Sequence, residues 1–350
     1  LGAGHAHVVV LRSLIDAPLR NVHVTLVNPG ATHTYSGMVP GVIAGHYTVM
    51  DAQIDLTRLA DRAKVDLILD QVVSFDSRQA RLESGMPLEY DLLSLNPGSL
   101  PNYFNVPGAR EHAVPAKPFE LLLARWSELL YKASAAPRIA IAGAGAAGVE
   151  LAMAMKFARG GEVVLYSDKN VFPPGLAGRI LKSLERNKIQ LRSECPVLAV
   201  EPGPVVVSPS GREQFDALFW TAGAAPLPWL RDSALLLDGA GYVLVDAALR
   251  SVSHPNVFAA GDTATLQGAA LPRSGVFAVR QGEVLTQNLK RAFQGESLRR
   301  YEPQARSLAL ISCGGKYAIA SRGGWSAEGA WVWRWKDWID RRWVAHLNCR

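Results

Sequence analysis

The sequence predicts an α/β protein of two three-layer units, followed by a small C-terminal α+β element. Three observations predict it. A glycine turn, Gly2-Ala3-Gly4, opens the chain, and a complete one, Gly143-Ala144-Gly145-Ala146-Ala147-Gly148, lies between strand-like and helix-like sequence. The chain has 350 residues, 49% apolar and 19% charged, which suits more than one core. Beyond residue 296 the character changes: six of the nine tryptophans lie between Trp325 and Trp343.

The first unit reads in order. Leu1 is all that supplies the strand before the opening turn, so the native protein is expected to begin a few residues upstream. Val8–Leu14 reads as a helix, and His23–Val27 as a strand ending at Asn28. Glycines let a backbone approach a pyrophosphate while a helix start supplies N–H donors and the positive dipole end. Two departures stand out. His7 occupies the third glycine position, which is expected to loosen helix–strand packing, and Asn28 stands where a carboxylate usually holds ribose hydroxyls.

The second unit is sharper. Arg138–Ala142 is a buried strand, Gly143, Gly145 and Gly148 complete the fingerprint, Val149–Ala154 opens a helix, and Glu162–Tyr166 is the return strand. Its end, Ser167-Asp168-Lys169, is open to two readings: Asp168 favours the ribose of NAD, whereas Ser167 with Lys169 would accept a 2′-phosphate. Further on, Val257–Ala260 ends in Gly261-Asp262, an acid suited to hydroxyls beside a phosphate. Asn96-Pro97-Gly98 and Thr221-Ala222-Gly223 close two other strands and mark crossings between the units. Two unlike dinucleotide sites are therefore expected.

These features resemble the pyridine nucleotide-disulfide oxidoreductases, flavoproteins with two Rossmann-like dinucleotide-binding domains. Within them the chain is similar to type II NADH dehydrogenase-like members, and in particular to the FAD-dependent domain found alone or fused to selenide, water dikinase. The carrying residues are Gly2–His7, Thr34–Gly41, Val106–Ala109, the second fingerprint with Glu150, Val257–Asp262, Ser274–Gly282, Ile319–Gly323 and Trp333–Arg342. The resemblance implies FAD on the first unit and NAD(P)H on the second. It places residues 1–118 and 239–295 in a discontinuous FAD domain, 119–238 in the NAD(P)H domain and 296–350 in the C-terminal element.

The resemblance also implies the site. Gly2, Gly4, His5, Ala6, Asn28, Tyr35, Ser36, Met38, Val73, Asn96, Gly98, Gly261, Asp262, Val276 and Phe277 would line the flavin. Gly143, Gly145, Gly148, Asp168 and Gly223 would line the nicotinamide nucleotide. Glu150 would stand near the nicotinamide amide, or serve only the helix dipole. Arg280 would stabilise the charge left after hydride transfer, and Lys117 would reach the flavin or mark a domain crossing. Hydride would pass from nicotinamide C4 to flavin N5 and on to a small-molecule acceptor. Quinone-reducing relatives carry Gln where Val276 and Arg280 stand here. Cys195, Cys313 and Cys349 form no redox dithiol. The alternative is a flavin-binding regulatory module beside a selenophosphate-forming partner, with little turnover of its own.

The net charge of +6 is concentrated at one end: from Arg299 to Arg350 there are ten Lys/Arg against four Asp/Glu. That balance argues against nucleic acid and for a local surface partner. Trp331, Trp335, Trp338, Ile339 and Trp343 follow helical steps, with Lys336–Asp340 and Asp337–Arg341 pairs expected on the other side. The tryptophan stripe either lies in a bilayer interface or packs on its own domain or a second subunit of a homodimer. No signal peptide, spanning stretch or metal cluster is legible, so a cytoplasmic location, or one peripheral on the inner face of the cell membrane, is expected.

Overall fold

The computed structural model describes residues 1–132, 136–169, 172 and 174–349. In the first unit the strands Thr25–Asn28 and Asp66–Leu69 pair in parallel, as do Leu93–Leu95 and Val257–Ala259. The opening residues join these pairs. Gly2 donates to the Val27 carbonyl (2.8 Å), Leu1 to Ser94 (2.6 Å), and Asn96 to Leu1 (2.9 Å), so the chain start is the central strand. The helix His5–Asp16 lies against the long helix Gly275–Gln294. Val72, Phe75, Ala80 and Leu82 of a three-stranded antiparallel sheet share the core of this unit.

His7 corrects the expectation of loosened packing. It is 6% exposed, and its ring spans from the Gly2 carbonyl (Nδ1, 2.6 Å) to the Ser94 hydroxyl (Nε2, 2.7 Å). Hydrogen bonds at both ring nitrogens hold the imidazole in the place a third glycine otherwise takes.

The second unit shows how a period of two builds three layers. Its parallel sheet contains Arg138–Ala142, Glu162–Tyr166, Gln190–Arg192 and Ala217–Trp220. Ile139, Ile141, Val163, Leu165 and Phe219 face the helices Phe119–Lys132, Ala146–Arg159 and Pro174–Arg186. The alternate residues, Ala140, Ala142, Val164, Tyr166, Leu218 and Trp220, pack with Val200 and Val206 of an antiparallel sheet.

The units meet through a strap, Leu100–Pro101 paired antiparallel with Ala224–Ala225. The boundaries therefore fall earlier than the sequence suggested. Val114–Pro115 already pairs with Phe219–Trp220 in the second sheet, and Leu227, Leu230 and Leu235 already pack in the first core.

The C-terminal element has three antiparallel strands: Ala309–Ser312, Ala318–Arg322 and Trp325–Gly329. The helix Ala330–Leu347 follows, with Lys336 and Asp340 on its inward face. Val332, Trp333, Lys336, Asp340, Val344 and Leu347 face inward, whereas Trp331 and Trp338 are 49% and 57% exposed. Indole is half polar and tolerates a wet surface; the inward face is fixed by partners from the other units.

Candidate active site

At the first glycine turn, Gly2 has a φ of +80°, and a Cβ on Gly4 would lie 2.4 Å from Asn96 Oδ1, so both positions require glycine. The fully buried Asn96 ties three segments together. Its Oδ1 accepts from the Ala6 and His7 N–H groups (3.0 and 3.1 Å) and its amide donates to the Ala260 carbonyl (2.7 Å). Asn28 is spent on the turn itself, accepting from Ala3 N–H (2.9 Å) and donating to the Gly30 carbonyl (2.7 Å).

Asp262 follows Gly261, whose N–H donates to Gln281 Oε1 (2.6 Å). The Asp262 carboxylate accepts from Lys117 Nζ (2.9 Å) and Ser99 Oγ (3.0 Å), and Gly98 is laced to the adjoining Thr263 hydroxyl. Burial works to raise the Asp262 pKa; the Lys117 ammonium and the two hydrogen bonds prevail and hold it below the usual carboxylate range. Lys117, drawn from the crossing, therefore stands beside Asp262. His5 stands nearby, 5.0 Å from the His33 ring and 3.4 Å from Ser36 Oγ. Burial lowers the pKa of His5 to about 4 and of His33 to about 3. His33 Nε2 is buried with no hydrogen-bond partner. A cavity of about 240 Å³ opens beside this segment, lined by Gly261, Thr265, Arg273, Ser274, Phe277 and Gln281.

At the second turn the three glycines do three different things. Gly143 turns with a φ of +105°. Gly145 starts the helix with nothing within 4 Å of a would-be Cβ. Gly148 lies so close that a Cβ would come 1.8 Å from the Gly143 carbonyl. The open space at Gly145, at a helix start without a side-chain cap, suits a phosphate. Ser167 is buried and its hydroxyl donates to the Lys169 carbonyl (2.6 Å), which leaves Asp168, exposed, as the acid at the strand end. Gly223, with a φ of +64°, belongs to the strap, where a Cβ would meet the Phe104 ring.

Glu150 lies one turn into this second helix and accepts from the Ser312 N–H (2.8 Å). Burial raises its carboxyl to about 7, against the lowering effects of Lys336 and the Ser312 bond. Lys336 forms an ion pair with Asp340 (2.6 Å), their side chains 9% and 5% exposed, and donates to the Gly37 carbonyl (2.7 Å). Tyr35 donates to Asp340 Oδ1 (3.3 Å). The pair on the face opposite the tryptophans is thus buried where all three parts of the chain meet. Removing one partner of such a pair costs about 3–5 kcal/mol, because the other charge stays buried.

The remaining expected residues differ in their exposure. Arg280 points outward, its side chain 62% exposed beside Glu283 (3.6 Å); one residue along, 100° around the helix, Gln281 is the inward group. Val73 is exposed on the outer side of its strand, with Val72 inside. Met38 is fully buried packing. Val276 is 45% exposed at the start of the long helix, and Phe277 is buried. Ala6 is buried beneath the first turn. Sequence reading missed Gln281, Ser99, Lys336 and Asp340. The last two share a four-residue step with Val332 and Val344, the signal that could have placed them inside. Burial raises the Cys313 thiol to about 11, and the three cysteines are free. Among the described residues there is no group able to hold a metal ion.

The pyridine nucleotide-disulphide oxidoreductase profile matches residues 1–282. The chain is 26% identical over 326 residues to the NADH dehydrogenase-like protein YutJ of Bacillus subtilis, covering 91% of this chain and 90% of that one. It is 23% identical over 339 residues to a type II NADH:quinone oxidoreductase of Staphylococcus epidermidis, covering 86% and 84%. The structure of NDH2 from Plasmodium falciparum in complex with NADH superposes with a TM-score of 0.81 at 14% identity, covering 97% and 96%. The sulfide:quinone oxidoreductase of Aquifex aeolicus does so with 0.82 at 13%, covering 99% and 90%. Both structural likenesses concern the fold.

Proposed function

The chain belongs to the pyridine nucleotide-disulphide oxidoreductase family, and from that premise we propose that it is a type II NADH dehydrogenase-like enzyme that oxidises NADH and reduces a quinone. It is an oxidoreductase with FAD and NAD(P)H as cofactors. The observation that carries the finer reading is the placement of Glu150: it leaves the second glycine turn and is buried at the Ser312 N–H of the C-terminal sheet, whose following helix reaches through Lys336 and Asp340 to the loop after the first turn. The relatives are named as dehydrogenases and quinone oxidoreductases, and a selenophosphate-associated module is not the reading they support.

The residues fit the two groups. Gly2, Gly4 and the helix start at His5 would face the FAD pyrophosphate, Asp262 and Ser99 its hydroxylated chain, and His33 Nε2 offers a buried polar atom lacking a protein partner. Gly143, Gly145 and Gly148 would receive the nicotinamide nucleotide, with Asp168 at its ribose. When bound, FAD supplies hydride-accepting and electron-releasing chemistry that no side chain here possesses. The chain's own part is to hold both groups, exclude water and manage protons.

Asp168 makes NADH the preferred donor, because its carboxylate opposes a 2′-phosphate and Ser167 is committed to the Lys169 carbonyl. We expect Asp168→Asn to narrow the NADH-over-NADPH preference by about tenfold, as read from kcat/KM for each coenzyme. Equal preference in the parent protein would contradict this. The wider function is tested by NADH oxidation with a water-soluble benzoquinone. Turnover that depends on the quinone is expected; holoprotein that accepts electrons from NADH without acceleration by quinone would remove that acceptor.

The outer face of the C-terminal helix carries Trp331 stacked on Trp335 (6.5 Å, 12°) and the Arg342 guanidinium over Trp338 (5.4 Å), with Arg334 exposed between them. No described helix is long and apolar enough to cross a membrane. Indole rings with interleaved arginines suit an anionic headgroup layer. We expect co-sedimentation with anionic vesicles, weaker in high salt and reduced at least tenfold, about 1.4 kcal/mol, by joint Trp331→Ser and Trp338→Ser. A protein that stays in the supernatant, or one whose mutations only dissociate a dimer, would contradict the membrane assignment.

A further inference from the structure

Phe104, in the loop that leaves the strap between the two units, is 60% exposed, so burial is not what fixes its place. Its backbone is left-handed (φ +49°), as is that of the next residue, Asn105 (φ +57°). Among the described residues Phe104 is the one aromatic in that conformation. A left-handed backbone is costly for a bulky side chain, and it persists only where neighbours impose it.

Here they do. Asn102 Oδ1 accepts from the Phe104 N–H (2.8 Å), and the Asn102 carbonyl accepts from the Trp220 indole (2.9 Å). The Tyr103 ring lies 5.5 Å from that of Trp220 and 5.2 Å from the Arg110 guanidinium. The Tyr103 carbonyl accepts from the Val106 N–H (2.9 Å). Held in this way, the Phe104 ring rests on Gly223, where a Cβ would lie 2.4 Å from its Cζ. Gly223 follows Ala222, whose nitrogen is 2.7 Å from where a Cβ on Gly143 would stand. The ring, Gly223, Ala222 and the first glycine of the second turn therefore form one continuous rim.

The order of the strands decides which half of a dinucleotide meets that rim. Ala217–Trp220, which leads to Gly223, pairs with one side of Arg138–Ala142. Glu162–Tyr166, which leads to Asp168, pairs with the other side. A dinucleotide with its pyrophosphate at Gly145 and its adenosine ribose at Asp168 sends its remaining half toward Ala222 and Gly223.

We propose that Phe104 is a binding residue for the nicotinamide half of the coenzyme: its ring, held out over Gly223, gives the planar pyridine ring an aromatic partner. The left-handed backbone is what aims it there. The proposal rests on the assignment of NAD(P)H to the second glycine turn made above. Strain separates it from a packing role. Glycine at 104 would relieve the backbone and remove a ring that is mostly in solvent, so a residue serving the fold alone would be improved by the change.

The test is titration calorimetry of the FAD-reconstituted full chain with two ligands. NAD⁺ carries both halves of the coenzyme and leaves oxidised flavin unchanged; ADP carries the adenosine half alone. Phe104→Gly is expected to weaken NAD⁺ binding by about tenfold and to change ADP binding by less than about twofold. Its thermal midpoint holds or rises by up to about 3 °C. Phe104→Tyr keeps the aromatic face and binds NAD⁺ within about twofold of the parent. Phe104→Asn, which also accepts a left-handed backbone, behaves as the glycine variant and serves where that protein does not fold. Unchanged NAD⁺ affinity in the folded glycine or asparagine variant overturns the proposal. So does an equal loss for NAD⁺ and ADP with a lowered thermal midpoint, which is the mark of a structural role. A parent holoprotein that binds neither ligand would instead overturn the assignment of the second glycine turn.

Discussion

Gly145→Ala leaves the fold intact and weakens NADH binding by about a hundredfold, roughly 2.7 kcal/mol, whereas Gly148→Ala damages the fold itself. The contrast follows from what each Cβ would meet. At Gly145, where φ is −67° and ψ −178°, alanine is conformationally acceptable and its methyl enters open space at the helix start. The thermal midpoint should hold or rise slightly, since alanine restricts the unfolded chain by about 0.4–1 kcal/mol. That open space is where a pyrophosphate must approach the backbone. At Gly148 the methyl would lie 1.8 Å from the Gly143 carbonyl and 2.8 Å from Thr221 Oγ1. The first of these is backbone and cannot swing aside, so a loss of about 3 kcal/mol is expected. Titration calorimetry with NADH and thermal denaturation separate the two cases. Undiminished NADH affinity in a folded Gly145→Ala protein would remove the nucleotide from this turn.

Asp262→Ala is expected to lower FAD affinity by at least about a hundredfold, so that the protein emerges colourless from desalting, with Asp262→Asn intermediate. The carboxylate is the buried acceptor that gathers Ser99 and Lys117 beside the first turn. Lys117 is 42% exposed and can turn to solvent when its partner is lost, so stability should fall by only about 1–2 kcal/mol. The pH dependence has a definite sign. The Asp262 pKa is depressed in the folded state, so its contribution to stability is present above the ordinary carboxylate range. It is lost as pH falls through the folded value, and the parent and Asp262→Ala proteins should converge in acid. Normal FAD retention by the variant would show that the flavin is held elsewhere.

The parts of this fold that rest on local rules were legible in the sequence. Gly143, Gly145 and Gly148 sit between a strand and a helix, as their spacing indicated, and Asp262 stands just after its strand. Residues whose roles depend on distant partners were not legible. His7 looked like a defect, but its ring is held by the Gly2 carbonyl and by the Ser94 hydroxyl of the neighbouring strand. Arg280 and Gln281 differ by one helical step, and only the Gly261 N–H, donated to Gln281, decides which faces the site. The tryptophan pattern left the C-terminal helix open between an outward and an inward stripe, because indole suits both a headgroup layer and a core. Lys336 and Asp340 are inside because the Gly37 carbonyl and the Tyr35 hydroxyl meet them there. The domain boundaries slipped for a related reason: a two-residue pairing, Val114–Pro115 with Phe219–Trp220, carries almost no composition signal.

The most direct measurement is anaerobic. The full chain, reconstituted with FAD and kept under argon, is mixed with NADH while the flavin's visible absorption band is followed. Rapid bleaching by NADH, slower with NADPH, is the result expected if the two glycine turns present a flavin and a nicotinamide to one another. A chain that takes up no FAD, or a bound flavin whose band persists with both coenzymes, would contradict it.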